Sequence, residues 1–152
     1  MEDSDCCERV TAALRRRGIA WVKVSGRSMI PWIRPDDVLL VRCAGVDDGV
    51  SPGQVVLFAR GGRLIAHRVI GRLCVVGQVF LETKGDATWD ADAPISETEL
   101  LGRVTQVFRD GRSIALETLH QAVLGRLLAS ISPARRLWHP LARAAKRFAT
   151  GA

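Results

Sequence analysis

Long hydrophobic runs are missing from this 152-residue sequence. Its longest apolar stretches, such as residues 38–41 and 55–59, fall far short of the ~20 residues that a transmembrane helix needs. The first residues, Met-Glu-Asp-Ser-Asp, also lack the basic region followed by an apolar run that marks a secretory signal. We therefore predict that the chain has no transmembrane helix and starts in the cytoplasm.

Paired cysteines are missing as well. None of the four cysteines lies in the C-x-x-C spacing typical of zinc sites and redox motifs: Cys6, Cys7, Cys43 and Cys74. We interpret them as ordinary buried or surface thiols of a reduced protein. The sequence therefore predicts neither a metal nor a cofactor.

Acidic residues are absent from the last twenty positions, which carry five arginines and lysines. Removing those five charges from the net charge of +6 leaves the rest of the chain at about +1. Binding to nucleic acid needs a basic face on the folded domain itself. We therefore expect no nucleic-acid partner.

Short runs of valine, leucine and isoleucine dominate the middle of the chain. Before them, helical spacing over residues 7–17, ending in three arginines and Gly18, predicts a short N-terminal helix. Eight runs broken by glycine, proline and aspartate then predict strands at residues 20–24, 38–42, 55–59, 64–70, 73–76, 79–83, 101–108 and 113–116. We divide the chain into a helical segment (1–18), a β-rich domain (19–116) and a C-terminal helical segment (117–152).

Turn residues support these strand boundaries. Pro52-Gly53, Gly61-Gly62 and Asp110-Gly111 each separate two predicted strands. Asp-Gly is a preferred pair for two-residue hairpin loops. We therefore predict a hairpin between the last two strands, with Asp110-Gly111 at its tip.

The C-terminal segment has a helical period again. One face carries Leu116, Leu119, Val123, Leu127 and Leu128, and Ser132-Pro133 suits the cap and first turn of a further helix. Two interpretations of the amphipathic, basic tail (133–152) stay open. It lies peripherally in a membrane interface, on the inner face, or it packs on the domain with a solvated basic face.

Ser28 lies in a glycine-bearing bend that follows a predicted strand. A serine in such a bend can present its hydroxyl while its own backbone N–H points at the same reacting carbonyl. Serines in glycine-containing loops are more often simple turn residues. Chemistry alone therefore leaves two roles open for Ser28, a nucleophile and a turn residue.

Four sequence blocks resemble those of a known superfamily. Gly26, Ser28, Met29 and Pro31 form a Gly-x-Ser-Met-x-Pro pattern that resembles the nucleophile motif of type I signal peptidases and of the self-cleaving LexA-like repressors. Three more blocks follow in that family's order, over roughly residues 22–104: Ser51-Pro52-Gly53-Gln54-Val55-Val56-Leu57-Phe58 resembles its P-G-D-V-V-x-F strand, Ala66-His67-Arg68-Val69-Ile70 its x-H-R-V-I strand, and Thr83-Lys84-Gly85-Asp86 its T-K-G-D turn.

His67 occupies the strand position where one branch of this superfamily carries a lysine. The chain resembles the other, archaeal and endoplasmic-reticulum branch, in which a histidine is the general base. An unperturbed imidazole can accept a serine proton at physiological pH, whereas an unperturbed lysine cannot. Taken alone, His67 also fits a strand histidine that pairs across the sheet. The remaining histidines, His120 and His139, match no block, and we assign both to the surface.

The resemblance also implies an aspartate that orients the histidine. In the histidine branch, one aspartate lies in the K-G-D turn and a second lies six residues later, which corresponds here to Asp86 and Asp92. We predict that Asp92 orients the histidine and that Asp86 shapes the turn and the site. Asp90 lies between them as a solvated acid, although a small shift of the loop would exchange Asp90 and Asp92.

Three positions depart from the family pattern. Asp36 replaces the glycine of the usual P-G-D after the serine motif, so that turn needs φ values that an aspartate tolerates. Gln54 replaces the acid of the second G-D. Gly26 stands where some members carry a hydroxyl that assists the oxyanion hole, so the resemblance implies only the Ser28 N–H as a donor there.

The resemblance implies a mainly β, signal-peptidase/LexA-like fold coiled from several antiparallel sheets, with a short N-terminal helix and C-terminal helices. It implies a serine endopeptidase that cleaves an extended precursor after small residues, docked at a strand edge. Since no membrane anchor precedes Ser28, we expect a dedicated processing peptidase. The alternatives are a low-turnover or self-cleaving regulatory domain and a membrane-surface adaptor built on the basic tail. The sequence does not predict an oligomeric state.

Overall fold

The computed structural model describes residues 2–46 and 48–116. The predicted C-terminal helices, the basic tail, His120 and His139 lie outside the described residues. Among the described residues, no helix is long and apolar enough to cross a membrane.

Helix α1 (Glu2–Arg17) opens the chain. It begins five residues before the predicted start, because apolar spacing marks the helix only from Val10 onward and its first turns are polar. Arg15, Arg16 and Arg17 form the last turn, where positive charge suits the helix dipole. Gly18 ends the helix with φ 72° and donates its N–H to the Leu14 carbonyl at 2.9 Å.

Within the described residues, seven antiparallel strands form one sheet with the order β1-β2-β6-β3-β4-β5, and β7 pairs with β6. The strands are β1 (Ile19–Lys23), β2 (Val38–Cys43), β3 (Val55–Arg60), β4 (Arg63–Val75), β5 (Gln78–Lys84), β6 (Leu100–Arg109) and β7 (Arg112–Ala115). The predicted mainly β fold with a short N-terminal helix is confirmed. The structure differs from the expectation of several sheets, because β6 pairs with β2, β3 and β7 and so joins them all.

Strand β4 corrects one boundary. The runs at 64–70 and 73–76 are one continuous strand and not two, because Gly71 does not interrupt the pairing with β5. The register shifts between Val69 and Gly71, as in a β-bulge. A Cβ at Gly71 would collide with the carboxylate of Glu82. The glycine therefore leaves room for the Glu82 side chain and does not end the strand.

Three glycine-containing pairs close hairpins among the described residues, and one of them, Val76 and Gly77 with φ 50° and 77°, connects β4 to β5. Asp110 and Gly111 have φ 49° and 73° and connect β6 to β7, as predicted. Gly61 and Gly62 have φ 59° and 74° and connect β3 to β4. Positive φ at both central residues is the geometry that matches the right-handed twist of the flanking strands.

The core consists of two clusters of buried side chains. One lies beneath α1 and the first strands and contains Leu14, Ala20, Val22, Met29, Ile33, Leu39, Val41, Val55, Leu57, Val104 and Val107. The other lies between β3, β4 and β5 and contains Val46, Val50, Val56, Phe58, Val69, Leu81, Ile95 and Leu100. Ser28 adjoins Met29 of the first cluster, and His67 pairs across the sheet with Val56 of the second.

Candidate active site

Ser28 is half-buried at the start of a tight turn that follows β1. The next residue, Met29, is buried in the core, and Ile33, one helical turn later, is almost fully buried. The Ile33 N–H donates to the Met29 carbonyl at 3.0 Å and closes the turn. Burial of these two apolar side chains holds the turn against the sheet. Ser28, which is small and polar, therefore lies at the boundary between the core and solvent.

His67 lies in the middle of β4 and is largely buried, with 10% of its side chain exposed. The ring packs edge-on against Phe58 of β3 at 6.1 Å between centroids. Its Nε2 lies 2.9 Å from Ser28 Oγ, although the two residues are 39 positions apart in the chain. The histidine side chain of β4 therefore contacts the serine turn at the boundary of the core.

The other ring nitrogen, His67 Nδ1, lies 2.6 Å from Asp92 Oδ2. An ionised carboxylate only accepts hydrogen bonds, so Nδ1 is the protonated nitrogen in the neutral ring. Nε2 is then free to accept the hydroxyl proton of Ser28. This arrangement of serine, imidazole and carboxylate can transfer the serine proton to the ring as the oxygen attacks a carbonyl.

Asp92, and not Asp90, is the acid next to the histidine. Asp90 is exposed, and its carbonyl accepts a hydrogen bond from the Thr88 hydroxyl at 3.3 Å. The Asp92 N–H donates to the Thr83 carbonyl at 2.8 Å, which sets the position of Asp92 beside β5. The loop shift that would exchange the two acids does not occur in this structure.

The loop between β5 and Asp92 packs directly on the serine turn. The Ala87 N–H donates to the Ser28 carbonyl at 2.8 Å. Gly85 lies so close that a Cβ there would stand 2.7 Å from the same oxygen. The Lys84 ammonium donates to the carbonyls of Gly85 and Thr88 and closes this loop on itself.

A comparison with protein-family models matches residues 5–105 to the family described as Peptidase S24-like. This match covers more than half of the chain. It includes most of α1, strands β1 to β5, the first part of β6, and the serine, histidine and aspartate described above. The chain belongs to the Peptidase S24-like family. A search of curated proteins finds no match. Membership of this family points to a serine peptidase or a LexA-like self-cleaving domain.

Asp86 of the S24-like domain, predicted to shape the turn and the site, makes its side-chain hydrogen bonds to Arg68 and not to His67. Its two carboxylate oxygens accept from Arg68 Nε and Nη2 at 2.7 and 2.6 Å, and both side chains are almost fully buried. Arg68 also donates to the Gly53 carbonyl at 2.7 Å. Since Arg68 follows His67 and Asp86 follows Gly85, this bidentate pair ties the histidine strand to the loop beside Ser28.

A second ion pair, between the half-buried Arg109 and the buried Asp37, supports the far end of the serine turn of the S24-like domain. Arg109 of β6 donates to both carboxylate oxygens of Asp37 at 2.8 and 2.7 Å, and the Arg34 N–H donates to the same carboxylate. The hydrogen bond from Arg109 is the main reason that the pKa of Asp37 lies below its usual value. The same contact raises the pKa of Arg109.

The departures from the family pattern have local solutions. Asp36 takes the left-handed conformation, φ 71°, that the usual glycine would adopt, and its carboxylate pairs with Lys23 at 2.9 Å. Gln54 Oε1 accepts from the Ser51 N–H at 3.0 Å, a side-chain bond that closes the turn before β3. Neither substitution prevents the turn that its block requires.

Two site-supporting residues were not identified from the sequence. Thr83 donates its hydroxyl to Asp92 Oδ2 at 2.7 Å. Arg60 donates to the carbonyls of Ala93 and Pro94, directly after Asp92. Thr83 lay within the T-K-G-D block and so carried a signal, whereas nothing in the sequence separates Arg60 from other strand arginines. Among the described residues, no group of three or more His, Cys, Asp and Glu side chains is placed to hold a metal ion.

Proposed function

We propose that this protein is a serine endopeptidase in which Ser28 is the nucleophile, His67 the general base and Asp92 the orienting acid. The observation that carries the proposal is the continuous set of contacts at 2.9 Å from Ser28 Oγ to His67 Nε2 and at 2.6 Å from His67 Nδ1 to Asp92 Oδ2. Asp86 shapes the site through Arg68. Membership of a peptidase family supports this proposal.

The proposed reaction proceeds through an acyl-enzyme. His67 Nε2 takes the hydroxyl proton as Ser28 Oγ attacks the scissile carbonyl, and Asp92 stabilises the imidazolium that forms. The Ser28 N–H donates to the oxyanion. The imidazolium then protonates the leaving amine, and His67 next activates a water molecule that hydrolyses the ester to Ser28.

The proposed substrate is an extended precursor segment, with small residues ahead of the cleaved bond, that is removed as a leader or signal-like sequence. Strand β1 lies at an edge of the sheet, and the chain runs from its end directly toward Ser28. A substrate strand that adds to this edge would reach the serine in extended form. The small-residue preference rests on the resemblance to signal peptidases.

The first experiment is cleavage of leader peptides with small residues at varied positions, read by mass spectrometry. We expect Ser28→Ala and His67→Ala to lose roughly 10⁴-fold or more of the wild-type kcat/KM, and Asp92→Asn to lose a large part of it. Two matched variants, Ser25→Ala in the same turn region and Asp90→Asn in the same loop, should cleave like wild type. Equal cleavage by all variants, or equal losses in Asp90→Asn and Asp92→Asn, would contradict the assigned roles.

A backbone scan tests the docking mode. In a series of peptides, one N-methyl group is placed at a different position before the cleaved bond in each peptide. Each methyl group removes one backbone N–H donor. Because a strand directs alternate backbone groups toward a given neighbour, we expect KM to rise at every second position. A rise at no position, or at all positions equally, would argue against addition to a strand edge.

Self-cleavage is the second candidate function, and family membership supports it. A self-cleaving domain cuts its own chain in a first-order reaction, whose rate constant does not depend on protein concentration. Incubation of the intact protein at several concentrations, with Ser28→Ala as the control, separates this reaction from cleavage of added peptides. A chain of unchanged mass that cuts peptides supports the endopeptidase.

The membrane contact proposed for residues 133–152 is tested by sedimentation with anionic liposomes. Binding that persists in Ser28→Ala and disappears on removal of this tail would support the contact. Binding that survives removal of the tail would exclude the tail as its cause.

A further inference from the structure

Thr83 binds Asp92 at two points. Its hydroxyl donates to Asp92 Oδ2 at 2.7 Å, and its carbonyl accepts the Asp92 N–H at 2.8 Å. Thr83 itself has no exposed surface. The hydroxyl has a carboxylate oxygen as its acceptor, so the direction of this hydrogen bond is set.

The oxygen that Thr83 binds is the one that His67 binds. Asp92 Oδ2 accepts from the Thr83 hydroxyl at 2.7 Å and from His67 Nδ1 at 2.6 Å. Two donors on one oxygen restrict rotation of the carboxylate about its last torsion, which is otherwise a broad one. Asp92 lies in a loop with 23% of its side chain exposed, so water would otherwise compete for this oxygen.

The position of Thr83 is fixed by the sheet. Thr83 of β5 pairs with Val69 of β4, two residues from His67 on the same strand. Threonine and histidine therefore have a defined separation set by strand register, and the loop acid is held between them. The hydroxyl at position 83 therefore fixes the position of the loop acid relative to the sheet.

We propose that Thr83 is a positioning residue that holds Asp92 Oδ2 against His67, a role that rests on the proposed peptidase function. Thr83 does not touch the substrate or the reacting atoms, and it acts through Asp92 alone. Its loss should therefore lower kcat and leave substrate binding unchanged. The needed chemistry is a hydroxyl, which serine shares and valine lacks.

The test compares Thr83→Val with Thr83→Ser in peptide cleavage. We expect valine to lower kcat by about tenfold or more while KM stays within about twofold, since a hydrogen bond to a charged group contributes on this order. Serine should restore most of the loss. The matched control is Thr105→Val, which removes another buried strand hydroxyl, bonded to the Leu40 carbonyl of β2 at 3.3 Å and three strands from β5 along the sheet.

A second measurement does not depend on turnover. In ¹⁵N-histidine-labelled protein, the proton on His67 Nδ1 should give a downfield NMR signal that is narrow in wild type and Thr83→Ser, and broadened or lost in Thr83→Val. A Thr83→Val protein with wild-type kcat and an unchanged signal would overturn the proposal. If Thr83→Val does not fold by circular dichroism, Thr83→Cys takes its place, because it keeps a similar volume with only a weak donor.

The two proposals fail in different ways. Wild type that shows no cleavage dependent on Ser28 would overturn the peptidase function, and the NMR comparison would still decide the role of Thr83. Wild type that cleaves through Ser28, beside an equally active Thr83→Val, would overturn the Thr83 proposal alone.

Discussion

The backbone of Gly85 lies against the backbone of Ser28, so that a Cβ at position 85 would stand 2.7 Å from the Ser28 carbonyl oxygen and 3.0 Å from its Cβ. A contact of 2.7 Å to backbone is closer than real Cβ atoms come. The T-K-G-D turn can therefore pack on the serine turn in this way only with glycine at position 85.

Gly85→Ala should disable the site. The added methyl group must push Ser28 or its own turn away, and a displacement of about 1 Å at a reacting atom costs on the order of 100-fold in rate. We expect kcat/KM for peptide cleavage to fall by about that factor, with a stability loss of about 1–3 kcal/mol from overpacking. Ala87→Ser enlarges an exposed side chain of the same loop and serves as the control. Wild-type activity in Gly85→Ala would show that the two turns move apart without consequence.

Asp86→Asn should destabilise the domain and lower its activity. The substitution leaves the Arg68 guanidinium buried without its bidentate partner, and breaking one side of a buried ion pair typically costs about 3–5 kcal/mol. Urea denaturation of Asp86→Asn should therefore show a markedly lower midpoint, while Asp90→Asn, an exposed acid in the same loop, should stay within about 0.5 kcal/mol of wild type. Equal midpoints for the two variants would mean that the pair contributes nothing net to the fold.

Stability should fall with acid through Asp37. Because the bond from Arg109 lowers the folded-state pKa of Asp37, the pair stabilises the fold above the unfolded-state value, near pH 4. This contribution is lost as the pH falls through the lowered folded-state pKa. Glu99 adds to the same trend, since its hydrogen bond to Arg60 also lowers its pKa.

Asp37→Asn isolates this effect. Its free energy of unfolding at neutral pH should be lower by about 3 kcal/mol and should change less than wild type between about pH 4 and pH 2. Glu97→Gln, at an exposed acid, should keep the wild-type pH dependence. An unaltered acid limb in Asp37→Asn would show that other carboxylates control acid unfolding.

Val76→Asn should stabilise the domain. Val76 has φ 50° in the two-residue turn between β4 and β5, is 76% exposed, and precedes Gly77 at φ 77°. A β-branched residue is strained in this region, whereas Asn-Gly is a preferred pair for such turns. We expect a gain of about 1 kcal/mol, seen as a rise of the melting temperature by several degrees. Val79→Asn, in the following strand, should lower the melting temperature, and a fall in both would refute the turn argument.

The strands and hairpins were predictable because their determinants are local. Short apolar runs bounded by glycine, proline and aspartate marked the strand positions to within one or two residues, except at Gly71, and Asp110-Gly111 marked the β6–β7 hairpin. A glycine inside an apolar run has the same sequence signature whether it ends a strand or lies within one. Only the pairing of β4 with β5 on both sides of Gly71 distinguishes the two cases.

By itself, the sequence determined the mainly β character, the Asp110-Gly111 hairpin, and the family blocks from which Ser28 and His67 were predicted as site residues. Tertiary structure decided between Asp90 and Asp92, the acid that the resemblance predicted, as the one that faces the histidine. It alone decided that Asp86 pairs with Arg68 and that Thr83 donates to Asp92. The reason is separation along the chain. His67 lies 39 residues from Ser28 and 25 from Asp92, so their contacts depend on strand register and loop path, which no local pattern of residues encodes.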